Sequence, residues 1–224
     1  MQKKPYFFHR LQSVYKCLVS VDTLMLPKQG MKNIFLFTGK EKFLLDQDLR
    51  RWRNGFIEKF GADTIFRFDP EHFDVGRIMQ AIFGGGLFVE KKMIIVYGAP
   101  TDTDTDNKIS GTQIENFTKE FLPKMQHVPA DVLVAFVSYS PDKRSKLYKQ
   151  FSESVTVKEY NPLKAAGLNS FIKETLVGYE ISADVVDYFL VKVGSDLYRI
   201  YHECNKIMSR VDLQNRKKIV REDI

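Results

Sequence analysis

From Asn33 to Thr38 the chain reads NIFLFT, a continuous apolar run bounded by Gly39, and such a run predicts a strand covered on both faces. Leu45, Leu49, Trp52, Phe56 and Phe60 then recur at steps of three and four, the spacing of one helix face, up to a stop at Gly61. TIFRF at 64–68 predicts a second strand. Asp74 stands where it can cap a helix carrying Val75, Ile78, Met79, Ile82 and Phe83 on one face, and Gly84 to Gly86 end it abruptly. MIIVY at 93–97 predicts a strand. Ile114, Phe117 and Phe121 mark a helix closed by Pro123, and DVLVAFVS at 131–138 predicts another buried strand. A helix over 142–152 and a strand over 155–159 complete the series.

Strands alternate with helices, and several strands are apolar throughout rather than at every second residue. That combination predicts an α/β domain built on a mostly parallel sheet with helices on both faces, running from Met31 to about Asn161. Beyond Pro162 the strand signals stop. Ser182 is placed to cap a helix with Val185, Val186, Phe189, Leu190 and Val193 inward, and Ser195 to cap another with Leu197, Ile200, Tyr201, Cys204, Ile207 and Met208 inward. Residues 162–224 therefore read as a small all-helical domain. Residues 1–30 show no sustained period, and the chain has no internal repeat and no low-complexity tract.

Composition supports folding: 44% hydrophobic and 28% charged residues over 224 positions are those of a globular protein. The net charge of +6 invites a nucleic-acid reading, but its distribution weakens it. Lys3, Lys4, Arg10, Lys16 and Lys28 face Asp22 alone in the first thirty residues, so most of the excess lies there and the rest of the chain is near balance. Cys17 and Cys204 are too few for a disulfide framework, which points to a reducing compartment and a cytoplasmic location. No apolar run approaches the roughly 18 residues that span a bilayer, and the N-terminus lacks a signal peptide's apolar core; no membrane role is expected.

The search for chemistry eliminates more than it finds. A phosphate-binding loop would follow the first strand as G-x-x-x-x-G-K-[ST], its backbone N–H groups and lysine cradling a nucleotide. The turn here reads TGKEK. Gly39 and Lys40 are present, the earlier glycine is missing, and Glu41 stands where a hydroxyl should bind magnesium, so its carboxylate would repel a triphosphate. DTDTDN at 102–107 resembles the start of a calcium loop, but Asn107 replaces the turn glycine and Gln113 the bidentate glutamate, which leaves a solvated polar loop. His9, His72, His127 and His202 are dispersed, and Cys204 lies on an apolar face, where a structural role fits better than zinc. There is no nucleophile elbow and no paired carboxylate. No intrinsic active site, cofactor or metal is expected.

QAIFGGGLFVEKKMIIV, residues 80–96, is the most informative stretch. A helix ends in three glycines, Leu87 and Phe88 follow, and Glu90, Lys91 and Lys92 precede the next strand. Two readings are open. Leu87 and Phe88 fold back onto the core beside Phe83, as apolar residues next to a strand usually do, or they form an apolar plug for a partner's pocket.

Four segments in order, IFLFTGKEKFLLDQDLRRW, GGGLFVEKKMIIV, VLVAFVSYSPDKRSKLYK and GSDLYRIYHECNKI, resemble the delta subunit of the bacterial DNA polymerase III clamp loader from about Met31 to Ile224. The resemblance implies an AAA+-like, P-loop-like α/β domain with a degenerate nucleotide site, followed by a helical lid. It implies an accessory subunit of a DNA polymerase holoenzyme that binds and helps open the sliding clamp (the beta subunit) in DNA replication. The partners implied are that clamp, the ATPase and delta-prime type subunits of the loader, and DNA through the assembled complex. Carried over by position, the clamp-binding residues are Leu87 and Phe88 at the helix tip, with Gln80, Ala81 and Ile82 on the helix leading to it.

Two departures qualify that expectation. Delta subunits continue into a helical collar domain, whereas this chain stops at Ile224. The stretch before Met31 has no recognised counterpart, and a miscalled start with Met31 as the true one is the expectation. The rival readings are a P-loop-type ATPase using Lys40, a plain DNA-binding module, and a nonfunctional truncated fragment.

Overall fold

The computed structural model describes residues 33–84, 91–101 and 109–224. Contacts divide them into two units, one ending at Pro162 and one running from Leu163 to Ile224.

The first unit contains β1 (Ile34–Thr38), α1 (Lys42–Phe60), β2 (Ile65–Phe68), α2 (Val75–Phe83), β3 (Lys92–Tyr97), α3 (Gly111–Asn116), β4 (Val132–Ser138), α4 (Lys146–Ser154) and β5 (Thr156–Glu159). The five strands form one sheet in the order β2-β3-β4-β1-β5, every pairing parallel. The order follows from burial. β1 and β4 are buried at every residue and sit inside, whereas β2 and β5 keep exposed positions and form the edges.

Alternation along the strands divides the core between the two faces. Ile34, Leu36, Ile94, Val96, Val134 and Phe136 pack with Val75, Ile78 and Ile82 of α2, with Phe117 and Phe121, and with Phe151 of α4. Phe117, Phe121, Phe136 and Phe151 meet with ring centroids 5.0–5.8 Å apart. Truncating a ring at this centre, as in Phe136→Ala, would cost about 3–5 kcal/mol. Phe35 and Phe37 point the other way, edge-on to Trp52 of α1 at 4.8 and 5.4 Å.

Three local readings change. The helix after residue 110 does not close at Pro123: α3 widens into a π turn over Phe117–Phe121 and continues as a 3₁₀ turn over Leu122–His127, with Pro123 in the first turn, where its missing N–H leaves no bond unmade. The helix expected over 142–152 begins at Lys146, because the Ser145 hydroxyl accepts from the Tyr148 N–H and caps it there. The strand of residues 64–68 begins at Ile65, since Thr64 belongs to a 3₁₀ turn held by its hydroxyl to the Gly61 carbonyl at 2.6 Å.

The second unit contains α5 (Ala165–Thr175), β6 (Glu180–Ile181), α6 (Ala183–Val193), α7 (Leu197–Leu213) and β7 (Lys218–Ile219). Leu168, Phe171, Ile172, Val186, Phe189, Ile200, Cys204, Ile207 and Val211 make its core. Two short strands pair in parallel within this helical unit, a feature too brief to leave a periodic signal. The cap of α7 is Asp196 rather than Ser195, because the carboxylate accepts from the Arg199 N–H at 2.8 Å. Ser182 stands at the start of α6, but its hydroxyl donates to Asp184 instead of accepting from the backbone. Asp223 is clasped by both terminal nitrogens of Arg216, one at 2.9 Å, and that pairing holds its carboxyl below the usual range. No helix among the described residues is long and apolar enough to cross a membrane.

Candidate functional site

The nine-residue helix α2 is fixed at its start by one local and one distant group and at its end by a local turn. At its start the Asp74 carboxylate accepts from the Arg77 N–H at 3.1 Å, and the Gln113 Oε1 accepts from the Val75 N–H at 3.0 Å. Two of the otherwise unpaired first-turn donors are thereby satisfied. At its end the Gly84 N–H donates to the Gln80 carbonyl at 2.7 Å. The fit is so close that a Cβ at residue 84 would lie 2.3 Å from the Gln80 oxygen, so only glycine turns the chain here without displacement.

Lys92, the first residue of β3, meets the same helix end from the sheet. It shares a strand face with Ile94 and Val96, so its side chain enters the layer between sheet and α2. Only 9% exposed, it donates to the Gly84 carbonyl at 2.5 Å and, more loosely, to the Ala81 carbonyl at 3.5 Å. The Phe66 ring lies 6.0 Å from its ammonium.

Of the residues carried over from the sequence, Gln80 is exposed and Ala81 is half-buried against the core. Ile82 is 1% exposed and packs into the core, so it anchors the helix instead of presenting a contact surface. The inward face of α2 is Val75, Ile78 and Ile82, and Gly76, Arg77 and Gln80 are exposed on the helix. Leu87 and Phe88 lie outside the described residues, between Gly84 and Lys91. Gln113 entered the sequence reading only as the residue that breaks a calcium-loop pattern, and Lys92 only as one of the charges before β3. A polar residue close to an apolar helix or strand was the available signal, but nothing local names its acceptor.

The turn after β1 is filled by the chain itself. Gly39 adopts φ +128°, and a Cβ there would sit 2.1 Å from the Tyr160 carbonyl oxygen. That carbonyl accepts from the Glu41 N–H at 3.1 Å, while the Tyr160 N–H donates to the Thr38 carbonyl at 2.8 Å. Glu41 also caps α1 by accepting from the Phe43 N–H at 3.3 Å. In a phosphate-binding loop, N–H groups at this helix start would face the anion. Here the Tyr160 carbonyl and the Glu41 carboxylate accept from two of those N–H groups, in the place an anion would take. Nearby, the Tyr139 hydroxyl donates to Asp46 at 2.7 Å, and the Lys42 ammonium lies 5.1 Å from the Tyr139 ring centre.

The 102–107 stretch lies outside the described residues, among which no group of three or more His, Cys, Asp or Glu side chains could hold a metal ion. Cys204 is fully buried, and desolvation pushes its thiol up to about 12, so it is chemically inert at neutral pH.

The model of the DNA polymerase III delta subunit family matches residues 35–161, more than half of the chain and all of the parallel sheet except Ile34. This chain belongs to the DNA polymerase III delta subunit family. Among solved structures it is similar to the Bacillus subtilis DNA clamp loader delta protein YqeN, with a TM-score of 0.61 and 17% identity over 96% of this chain and 60% of that one. At that identity the likeness establishes the fold, the α/β domain and helical unit that the resemblance implied. Two RuvB mutants of Thermotoga maritima are more distantly similar, with TM-scores of 0.49 and 0.48, 10% identity, and coverage of 85% and 84% of this chain and 59% of theirs. The chain thus spans about three fifths of the length of these proteins. No curated protein sequence matches it significantly.

Proposed function

We propose that this member of the delta family acts in clamp loading: it binds the ring-shaped sliding clamp of DNA replication through the end of α2 and helps to open it. The observation that carries the reading is the helix itself. Val75, Ile78 and Ile82 are spent on the core, both ends are tied down, and the chain leaves Gly84 toward Leu87 and Phe88, three and four residues on. Family membership and the likeness to a clamp loader delta protein support it. In this reading Leu87 and Phe88 enter an apolar pocket on the clamp, Gln80 and Ala81 flank the contact, and Ile82 holds the helix from within.

ATP hydrolysis belongs to other loader subunits of the ATPase and delta-prime type, and DNA is met through the assembled cytoplasmic complex. The self-filled turn at Gly39 and Glu41 agrees with that division of labour. Burying two large apolar side chains contributes about 3–6 kcal/mol before the cost of association, enough to dominate a small interface. Calorimetric titration of the sliding clamp with the full chain tests the reading. Leu87→Ala combined with Phe88→Ala should abolish binding with the fold intact; unchanged affinity would overturn it.

A further inference from the structure

Lys92 is costly where it stands. A lysine on a core-facing strand position gives up most of its hydration, and a neutral side chain would fill the space without that loss. Among the described residues its partners are two main-chain carbonyls at the end of α2 and the face of Phe66. No carboxylate among the described residues forms an ion pair with it.

The carbonyls it serves are of a particular kind. The last turn of a helix carries unpaired acceptors and the negative end of the helix dipole, which a buried ammonium satisfies well. The Gln80 carbonyl is already taken by the Gly84 N–H, and the lysine serves two of the others, loosely that of Ala81 and closely that of Gly84. That oxygen belongs to the residue at which the chain departs for Leu87, and three residues reach at most about 10 Å. Fixing Gly84 therefore fixes the origin of the tip. The lysine also begins β3, and its main-chain N–H donates to the Asp131 carbonyl at 3.0 Å, so one residue joins the end of α2 to the sheet.

We propose that Lys92 is a positioning residue for clamp binding: by capping the end of α2 from within the sheet it holds the helix in the orientation from which Leu87 and Phe88 engage the clamp. The proposal rests on the clamp-binding reading above and adds a residue that does not itself touch the partner. Preorganisation of this sort raises affinity by removing the ordering cost of binding.

The test compares Lys92→Met, which keeps the aliphatic stem and removes the donor, with Lys92→Arg, which keeps a donor. The full chain is titrated against the sliding clamp and melted alone. Lys92→Met should bind about tenfold more weakly, the ordering cost of a helix end no longer held, with a melting temperature close to that of the unaltered protein, because a neutral buried side chain regains what the lost hydrogen bonds gave. Lys92→Arg should restore most of the affinity, which a simple loss of packing would not allow. If Lys92→Met binds normally while the Leu87→Ala, Phe88→Ala protein does not, the positioning role is wrong and the clamp-binding reading stands. If both bind normally, that reading falls and takes the positioning role with it. Should Lys92→Met fail to fold, amide hydrogen exchange in the unaltered protein decides. Protection of the Gly84 amide comparable to that of β3 supports a fixed helix end, and exchange at the rate of a free peptide overturns it.

Discussion

The Tyr160 hydroxyl donates a 2.5 Å hydrogen bond to the Asp48 carboxylate, joining residues 112 positions apart. Asp48 is buried and also receives Arg51 and, at 3.4 Å, Lys158, whose ammonium stands 4.7 Å from the Trp52 ring centre. Tyr160 thus grips α1 with its side chain while its main chain grips the turn after β1 through Thr38 and Glu41. One residue just beyond the edge strand ties the turn after β1 to α1.

Tyr160→Phe should therefore destabilise the protein by about 1–3 kcal/mol, because Asp48 loses a donor it cannot replace in the core. Burial, reinforced by the Asp48 charge, raises the Tyr160 pKa well above its ordinary value, so the hydroxyl stays a donor throughout the neutral range. A folded-state pKa above the unfolded one gives stability that is complete below the unfolded value, about 10, and fades as pH rises past it. Urea unfolding at a series of pH values should show a constant gap between Tyr160→Phe and the unaltered protein from about pH 7 to 9 and a narrowing gap above about 10. A gap independent of pH would remove the hydroxyl from the account.

Gly84→Ala should be costly out of proportion to its size. The added methyl meets the Gln80 carbonyl at 2.3 Å, a main-chain atom that cannot swing aside, so the end of α2 must move. Overpacking of this sort costs about 1–3 kcal/mol and here also displaces the acceptor of Lys92. Gly111→Ala is the control, since nothing lies within 4 Å of its new Cβ, and it should be neutral or stabilising by up to about 1 kcal/mol. Thermal melts of the two variants check the contrast, and equal effects would contradict it.

Magnesium-ATP should leave the melting temperature unchanged. A ligand present at a hundred times its Kd adds about 2.7 kcal/mol to stability, which a melt would register. The Glu41 N–H already serves the Tyr160 carbonyl, and the Glu41 carboxylate caps the helix to which a phosphate would have to bind. A clear upward shift that Lys40→Ala removes would show instead that this turn opens to nucleotide.

Much of the fold was legible because burial on both faces writes itself into the sequence. The unbroken apolar runs of β1, β3 and β4 announce inner strands, and the three-and-four spacing of Leu45, Leu49, Trp52 and Phe56 announces the face that α1 turns inward. The Asp74 cap and the Gly84 stop were readable too, because each works on groups within four residues. Where a local competitor stood one residue away, as Asp196 stands beside Ser195, the pattern named the turn but not the side chain that closes it.

The candidate site was less legible, and the reason is geometric. The sequence by itself determined that an amphipathic helix ends in glycine before Leu87 and Phe88, and its resemblance to the delta family pointed to a partner for them. Periodicity already set Ile82 on the apolar face of that helix, but only the tertiary structure decided that Gln113 reaches 38 residues back to the Val75 N–H and that Lys92 turns inward to the Gly84 carbonyl. Periodicity reports which face of an element is apolar. It cannot report which donor will find which acceptor, because that depends on how the sheet brings together segments far apart along the chain.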